Sequence, residues 1–198
     1  FITGVPDSLL KEFNACVLDE HPKNKHIIAP NEGTSIGLAI GNYISTGKVP
    51  TVYMQNSGVG NAVNPLMSLA DKDVYGVPMV VIIGWRGEPG VKDEPQHFKQ
   101  GLIQEALLKA MQLDYKVLDS ENQDWSLLLD DLYSSAVTEQ CPKVLLVRKG
   151  TFDFYNSSAG EQLELESRES AINTVIDSLG KDSIFIGTTG KASRELFE

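Results

Sequence analysis

The stretch His26-Ile27-Ile28-Ala29-Pro30-Asn31-Glu32-Gly33-Thr34-Ser35-Ile36-Gly37-Leu38-Ala39-Ile40-Gly41-Asn42-Tyr43-Ile44-Ser45 decides the fold. A short apolar run, His26 to Ala29, stops at Pro30, and from Asn31 the apolar residues recur at helical spacing through Ser45. The same switch of period repeats along the chain. Thr51 to Met54 precedes helical spacing over Asn61 to Ala70, Met79 to Ile83 precedes Lys99 to Gln112, and Tyr115 to Leu118 precedes Gln123 to Glu139. A last apolar run covers Val144 to Val147. Continuous apolar strands alternating with helices predict an α/β fold, a parallel sheet with helices on both faces. Ligands in such folds bind at the carboxyl ends of the strands, so the loops after each strand are the place to look for chemistry.

Outside these elements the periodicity lapses. Residues 149–166 mix Gly, Ser, Asn and acids and read as a linker. Helical spacing from Ser167 to Leu179 and an expected strand at Ser183 to Ile186 then suggest the start of a second α/β domain over 167–198, the first domain covering 1–148. The sequence begins at Phe1 and ends in a helix-like run, Arg194 to Glu198, with no stop signal, so it is read as part of something longer.

Composition excludes several classes. With 17 Lys+Arg against 27 Asp+Glu the net charge is −10, a poor start for a nucleic-acid surface. Its 41% hydrophobic residues suffice for a packed core, yet no apolar run approaches the roughly 20 residues of a bilayer span. Neither nucleic acid nor membrane is an expected partner. Two isolated cysteines, Cys16 and Cys141, form no disulfide framework or thiolate cage, and three scattered histidines form no zinc pattern. They fit reduced, buried thiols in a cytoplasmic protein.

The strand-end loops carry the polar signals. After the first strand, Gly4-Val5-Pro6-Asp7-Ser8 makes a tight turn, and Asp7 reads as a helix cap worth about 0.5–2 kcal/mol or as a catalytic carboxylate. Glu32 sits in the first turn of the next helix, where the helix dipole favours an acid and where a proton-handling group would also work. Gly33, Gly37 and Gly41 follow on one helical face, each costing about 1 kcal/mol against Ala, so close packing or a ligand should offset them. Asn56-Ser57-Gly58-Val59-Gly60-Asn61, with Asn64, forms a Gly-rich turn that reads as a hydrogen-bonding site rather than a dinucleotide fingerprint or P-loop. The long loop from Gly84 to His97 holds Arg86, a planar fork for a phosphonate, phosphate or carboxylate, and His97, a proton carrier near neutral pH. No G-x-S-x-G nucleophile elbow is present.

These loops together carry a resemblance. Phe1-Ile2-Thr3-Gly4-Val5-Pro6-Asp7-Ser8, Ala29-Pro30-Asn31-Glu32-Gly33, Tyr53-Met54-Gln55-Asn56-Ser57-Gly58-Val59-Gly60-Asn61, Gly84-Trp85-Arg86-Gly87-Glu88-Pro89-Gly90 and Asp93-Glu94-Pro95-Gln96-His97 resemble, in order, the phosphonopyruvate decarboxylases, a thiamin-diphosphate-dependent family. The resemblance implies a pyrimidine-binding domain over 1–148 and the opening of a diphosphate-binding domain over 167–198. It implies decarboxylation of the 2-oxo acid 3-phosphonopyruvate to phosphonoacetaldehyde and CO2, with thiamin diphosphate and Mg2+ as cofactors and the metal ligands beyond residue 198. It also implies a homodimer or higher homo-oligomer with the cofactor at the subunit interface.

By the same resemblance, Glu32 hydrogen-bonds the aminopyrimidine ring and drives its imino tautomer, which deprotonates the thiazolium carbon. Asn56, Ser57, Gly58, Gly60, Asn61 and Asn64 border the cofactor, although Val59 stands where the wider superfamily has a proline. Asp7 and His97 fall where related decarboxylases place catalytic groups, with a single histidine here in place of a pair. The charge of the substrate points to Arg86, with Lys92 as a weaker candidate, and Gln96 and Ser8 are expected beside them at the substrate. Two alternatives stand beside this reading: the α subunit of a sulfopyruvate decarboxylase, which should stop near residue 170, and a noncatalytic pyrimidine-domain-like binding module.

Overall fold

The computed structural model describes residues 1–121, 124–157, 167–179, 182–187 and 191–197. Six strands form one sheet: β1 (Ile2–Gly4), β2 (His26–Ile28), β3 (Thr51–Gln55), β4 (Met79–Gly84), β5 (Tyr115–Leu118) and β6 (Pro142–Val147). Their order is β2-β1-β3-β4-β6-β5, and every pairing is parallel. The connections leave β1 for β2 on one side and return to β3 on the other, so a topological switch point lies between β1 and β3. Gln55 pairs with Gly84, and Gly84 with Val147, so the loops after β3, β4 and β6 open along one edge.

The strand residues alternate between two cores. Val52, Met54, Val81, Ile83, Val144 and Leu146 face α2 (Glu32–Thr46), α3 (Val59–Pro65) and α4 (Pro95–Ala110), burying Ile36, Ala39, Ala62 and Leu108. Tyr53, Val80, Ile82, Leu145 and Val147 face the other way, where Leu132 of α5 (Trp125–Glu139) and partly buried Phe13 of α1 (Lys11–Glu20) cover them. β2 departs from the expected two-sided burial: at the sheet edge, Ile27 and Ile28 stay exposed.

Local chemistry explains the helix limits. Asn31, in extended backbone, accepts the Thr34 N–H at 2.8 Å and caps α2, which ends at Gly47 in the left-handed region. α3 begins at Val59, two residues before the expected Asn61, and runs into a π-helical turn over Leu66–Ala70. α4 begins at Pro95, not Lys99, because proline suits the first helical turn. Gln96 and His97 therefore stand on a helix rather than in the loop. The expected start of α5 at Gln123 lies outside the described residues.

The glycine face of α2 is used only in part. A Cβ at Gly33 would fall 2.9 Å from the Asn61 carbonyl of α3, whereas one at Gly37 or Gly41 would meet nothing within 4 Å. The thiols of Cys16 and Cys141 are free and half-buried rather than buried.

The chain divides into two compact units, Phe1–Ala159 and Gly160–Glu198. Part of the segment expected as a linker lies in the first unit, where the Tyr155 N–H donates to Glu12 at 2.8 Å and its hydroxyl to Glu20 at 3.0 Å. Residues 158–166 lie outside the described residues. In the second unit, α6 (Arg168–Leu179) and α7 (Lys191–Phe197) are joined by a bidentate Arg168–Glu195 pair. Residues 183–187 form no strand, and Ile184 and Ile186 are 88% and 92% exposed.

Candidate active site

Glu32 is the first residue of α2, half-buried at the carboxyl edge of the sheet. Its Oε2 accepts a hydrogen bond from Asn61 Nδ2 at 2.8 Å. Oε1 lies over Gly58, where a Cβ would come within 2.2 Å of it and 2.4 Å of Cδ. Only glycine permits the carboxylate to lie there. The turn thus brings Glu32, Gly58 and Asn61 together, with Ser57 and Gly60 exposed beside them and open space at Gly60.

Two asparagines behave differently from expectation. Asn56 is fully buried, donating to the Arg86 carbonyl at 2.8 Å and accepting the Arg86 N–H at 3.2 Å. It joins the loops after β3 and β4 and leaves its amide committed to protein. Asn64 sits exposed on α3 and accepts the Ser68 hydroxyl at 3.0 Å, with no hydrogen bond to Glu32 among the described residues.

Asp7 follows β1 and its side chain is 1% exposed. Oδ2 accepts the Leu9 N–H at 3.2 Å, two residues on, so Asp7 forms an Asx turn and does not cap α1, whose N-cap is Leu10. Oδ1 has no hydrogen-bond partner. The nearest cation, Arg86 Nη1, stands at 3.9 Å, an ion pair but beyond hydrogen-bond range. Burial pushes the Asp7 carboxyl up, against opposing pulls from Arg86, the Leu9 and Ser8 N–H groups and His97.

Arg86 extends from the end of β4 into the same corner. Its Nε and Nη2 donate to the two oxygens of Asp93 at 2.8 and 2.5 Å, and Nη1 donates to Ser8 Oγ at 2.8 Å. Asp93 also accepts the N–H groups of Gly87 and Glu94, each at 2.8 Å. The hydrogen bonds from Arg86, reinforced by those N–H groups and opposed by burial, hold the Asp93 carboxyl well below the usual range; the same bonds hold Arg86 charged. The fork expected to meet substrate directly is therefore already half engaged by an acid of its own loop. Asp93 is the functional-site residue that reading the sequence missed, and its signal was an acid seven residues downstream of an arginine in one loop.

His97 is half-buried on the first turn of α4, with Nδ1 3.2 Å from Gln55 Nε2 at the end of β3. Gln96 beside it is exposed. Lys92 is exposed too, and lines a cavity of about 520 Å3 with Gly87, Pro89, Phe98 and Leu102 rather than the corner that holds Asp7 and Arg86. No cluster of three or more His, Cys, Asp or Glu that could hold a metal occurs among the described residues, and no described helix is long and apolar enough to cross a membrane. Glu32 over Gly58 offers an acceptor oxygen at the edge of an open turn, and buried Asp7 keeps an unpartnered oxygen in the neighbouring corner. The Glu32 acceptor suits a planar ring bearing N–H groups, and the Arg86 guanidinium beside Asp7 is the group of this corner that suits an anion.

Comparison with known proteins bears on the family and the fold. The family model described as thiamine pyrophosphate enzyme, N-terminal TPP binding domain, matches residues 1–111. Phosphonopyruvate decarboxylase of Streptomyces viridochromogenes is 29% identical over 212 residues, covering 99% of this chain and 52% of that protein. The chain spans about half the length of the two phosphonopyruvate decarboxylases it matches. Sulfopyruvate decarboxylase subunit alpha of Methanococcus maripaludis is 31% identical over 130 residues, 66% of this chain and 75% of that subunit. Among solved structures, benzoylformate decarboxylase of Polynucleobacter necessarius has the same fold over 88% of this chain and 33% of its own, with a TM-score of 0.58 at 16% identity.

Proposed function

Because the chain belongs to the thiamine pyrophosphate enzymes through their N-terminal TPP binding domain, we propose that it forms the pyrimidine-binding part of a decarboxylase converting 3-phosphonopyruvate to phosphonoacetaldehyde and CO2. The observation that carries this reading is Glu32, held by Asn61 through one oxygen and laid with the other against Gly58, where only a glycine leaves room for the carboxylate. When bound, thiamin diphosphate supplies the electron sink that lets the carboxyl group leave as CO2. Glu32 Oε1 shares a proton with a nitrogen of the pyrimidine ring, and Asn61 keeps the carboxylate from turning away. Ser57, Gly58 and Gly60 form the adjoining wall. Asp7 and His97 hold and deliver protons at the substrate end, Asp7 through its unpartnered Oδ1 and His97 through a ring oriented by Gln55. Gln96 borders the same end. Magnesium and the diphosphate are held by residues outside 1–198, and the working enzyme is a cytoplasmic homo-oligomer of at least two subunits.

The similarity to a sulfopyruvate decarboxylase subunit favours a second reading, because sulfonate and phosphonate are both tetrahedral oxyanions. Coverage of 99% of this chain by the phosphonopyruvate enzyme, against 66% by the sulfopyruvate subunit, supports the first. The test is CO2 release by the whole protein with thiamin diphosphate and Mg2+. Glu32→Gln should lower kcat about 100-fold or more, the scale of lost general acid–base catalysis. Wild-type turnover in that variant refutes the role of Glu32, and failure of the wild-type protein to bind thiamin diphosphate leaves the noncatalytic module.

A further inference from the structure

We propose that the remote anion of the substrate is read by a cationic cavity whose second cation is Lys149, not Lys92. The inference rests on the decarboxylase reading and specifies how its substrate is chosen.

A cavity of about 350 Å3 opens at the carboxyl edge of the sheet, lined by Ser8, Lys11, Glu12, Arg86, Lys149 and Phe152 among others. Its lining residues come from the loops after β1, β4 and β6 and from the start of α1. Three cations therefore converge in a chain whose net charge is −10. The one carboxylate among them, Glu12, is already engaged by the Tyr155 N–H at 2.8 Å and by Lys11 at 3.0 Å. Phe152 stacks on Phe13 with ring centroids 6.2 Å apart and gives the cavity a fixed apolar wall.

Arg86 alone does not account for a dianion. Asp93 matches its charge, and three of its five N–H donors are taken by Asp93 and Ser8. The remaining donors can grip an oxyanion, but the charge that balances it must come from elsewhere. Lys149 fits this role: its Nζ donates one N–H to the Lys92 carbonyl at 3.1 Å, which steadies the side chain and leaves two donors. Lys92 gives that carbonyl as a brace, while its side chain lines the separate cavity on the Phe98 side of the loop. The ligand chemistry is a tetrahedral oxyanion, phosphonate or sulfonate, at the far end of a 2-oxo acid.

The test uses the whole protein with thiamin diphosphate and Mg2+ and compares phosphonopyruvate, sulfopyruvate and pyruvate. Loss of one charge-assisted hydrogen bond predicts that Lys149→Gln raises KM for phosphonopyruvate about 10- to 100-fold. KM for pyruvate, which lacks the remote anion, should move by less than about 2-fold. Lys149→Arg should recover most of the loss, and Lys92→Gln should have the smaller effect. A larger loss on phosphonopyruvate than on sulfopyruvate assigns the cavity to a phosphonate dianion, and the reverse assigns it to a sulfonate; either upholds the cavity. Calorimetric titration with 3-phosphonopropionate, which has no keto group, reads binding apart from turnover, and Lys149→Gln should weaken it by a similar factor. Equal KM changes for pyruvate and phosphonopyruvate, a larger effect from Lys92→Gln, or unchanged 3-phosphonopropionate affinity in Lys149→Gln overturns the proposal. If the wild-type protein decarboxylates none of the three acids, the decarboxylase reading falls and the titration still judges the cavity.

Discussion

Replacing Asp93 by Asn removes one charge and two of the best hydrogen bonds in the loop after β4. The Asp93 side chain is 7% exposed and the Arg86 side chain 18%, so the pair is mostly withdrawn from solvent. Breaking such a pair by removing one partner costs about 3–5 kcal/mol, because the surviving charge stays desolvated. Arg86 keeps Ser8 and gains some solvent, and the Asn amide oxygen can still accept one N–H, so the lower end of that range, about 3 kcal/mol at pH 7, is expected. With a urea m-value of about 2 kcal/mol/M, this moves the midpoint down by about 1.5 M. The assay is urea unfolding followed by tryptophan fluorescence, since buried Trp85 adjoins Arg86 and donates its indole N–H to the Gly101 carbonyl at 3.0 Å.

The pH dependence has a definite sign. Arg86 depresses the folded-state pKa of Asp93, so the stabilisation is present above the unfolded-state carboxyl pKa of about 3.9 and fades as pH falls below it toward the folded value. Wild type and Asp93→Asn should therefore differ fully at pH 7 and converge progressively below about pH 4. A midpoint shift under about 0.3 M urea, or a gap that is constant with pH, refutes the argument that the ion pair holds this loop.

Further outcomes follow from the same corner. Burial raises the Asp7 carboxyl, so the folded state resists its ionisation and loses stability as pH rises above the unfolded value of about 3.9. Asp7→Asn should then raise Tm at pH 7 relative to wild type, with the gain shrinking toward pH 3, while decarboxylation falls; a lower Tm at pH 7 contradicts the burial argument. Gly58→Ala places a methyl within 2.2 Å of the Glu32 carboxylate and forces it aside. Its expected effect is a cost of about 1–3 kcal/mol from overpacking and a raised KM for thiamin diphosphate, and normal cofactor affinity counts against Glu32 as the pyrimidine partner.

The sheet was legible because three strands bury both faces. Val80 and Ile82 serve one core, Val81 and Ile83 the other, and such unbroken apolar runs have few other readings. β2 was assigned by the same run of letters, but Ile27 and Ile28 stay exposed, and sequence period cannot report whether a neighbour exists. Glu32 was found because the strand, Pro30, Asn31 cap and acid lie within seven residues and their relation is local. Arg86 was found without Asp93 because a guanidinium announces itself, while its partner is chosen by the path of a loop. Lys149 was missed although it directly follows Arg148 at the end of β6, since the polar composition of 149–166 reads as linker and hides the last strand-end loop. The start of α4 was placed too late, although Pro95 carried the signal for a first helical turn.

The contact between the loop after β4 and α4 has a mechanical consequence. Gly87, at φ +67°, passes so near the helix that a Cβ there would fall 2.0 Å from the His97 carbonyl, and one at Gly101 would fall 1.8 Å from the Gly87 carbonyl. The Trp85 indole pins the same helical turn from the strand side. The backbones of Arg86 and His97 thus belong to one lever, and neither can shift without carrying the other. Length variation can enter this lever only at its exposed tip, Pro89 to Lys92, where added residues leave the grip on Gly101 and Asp93 untouched. An insertion between Trp85 and Gly87, or between Asp93 and Pro95, would uncouple the cation from the histidine even if every side chain were kept.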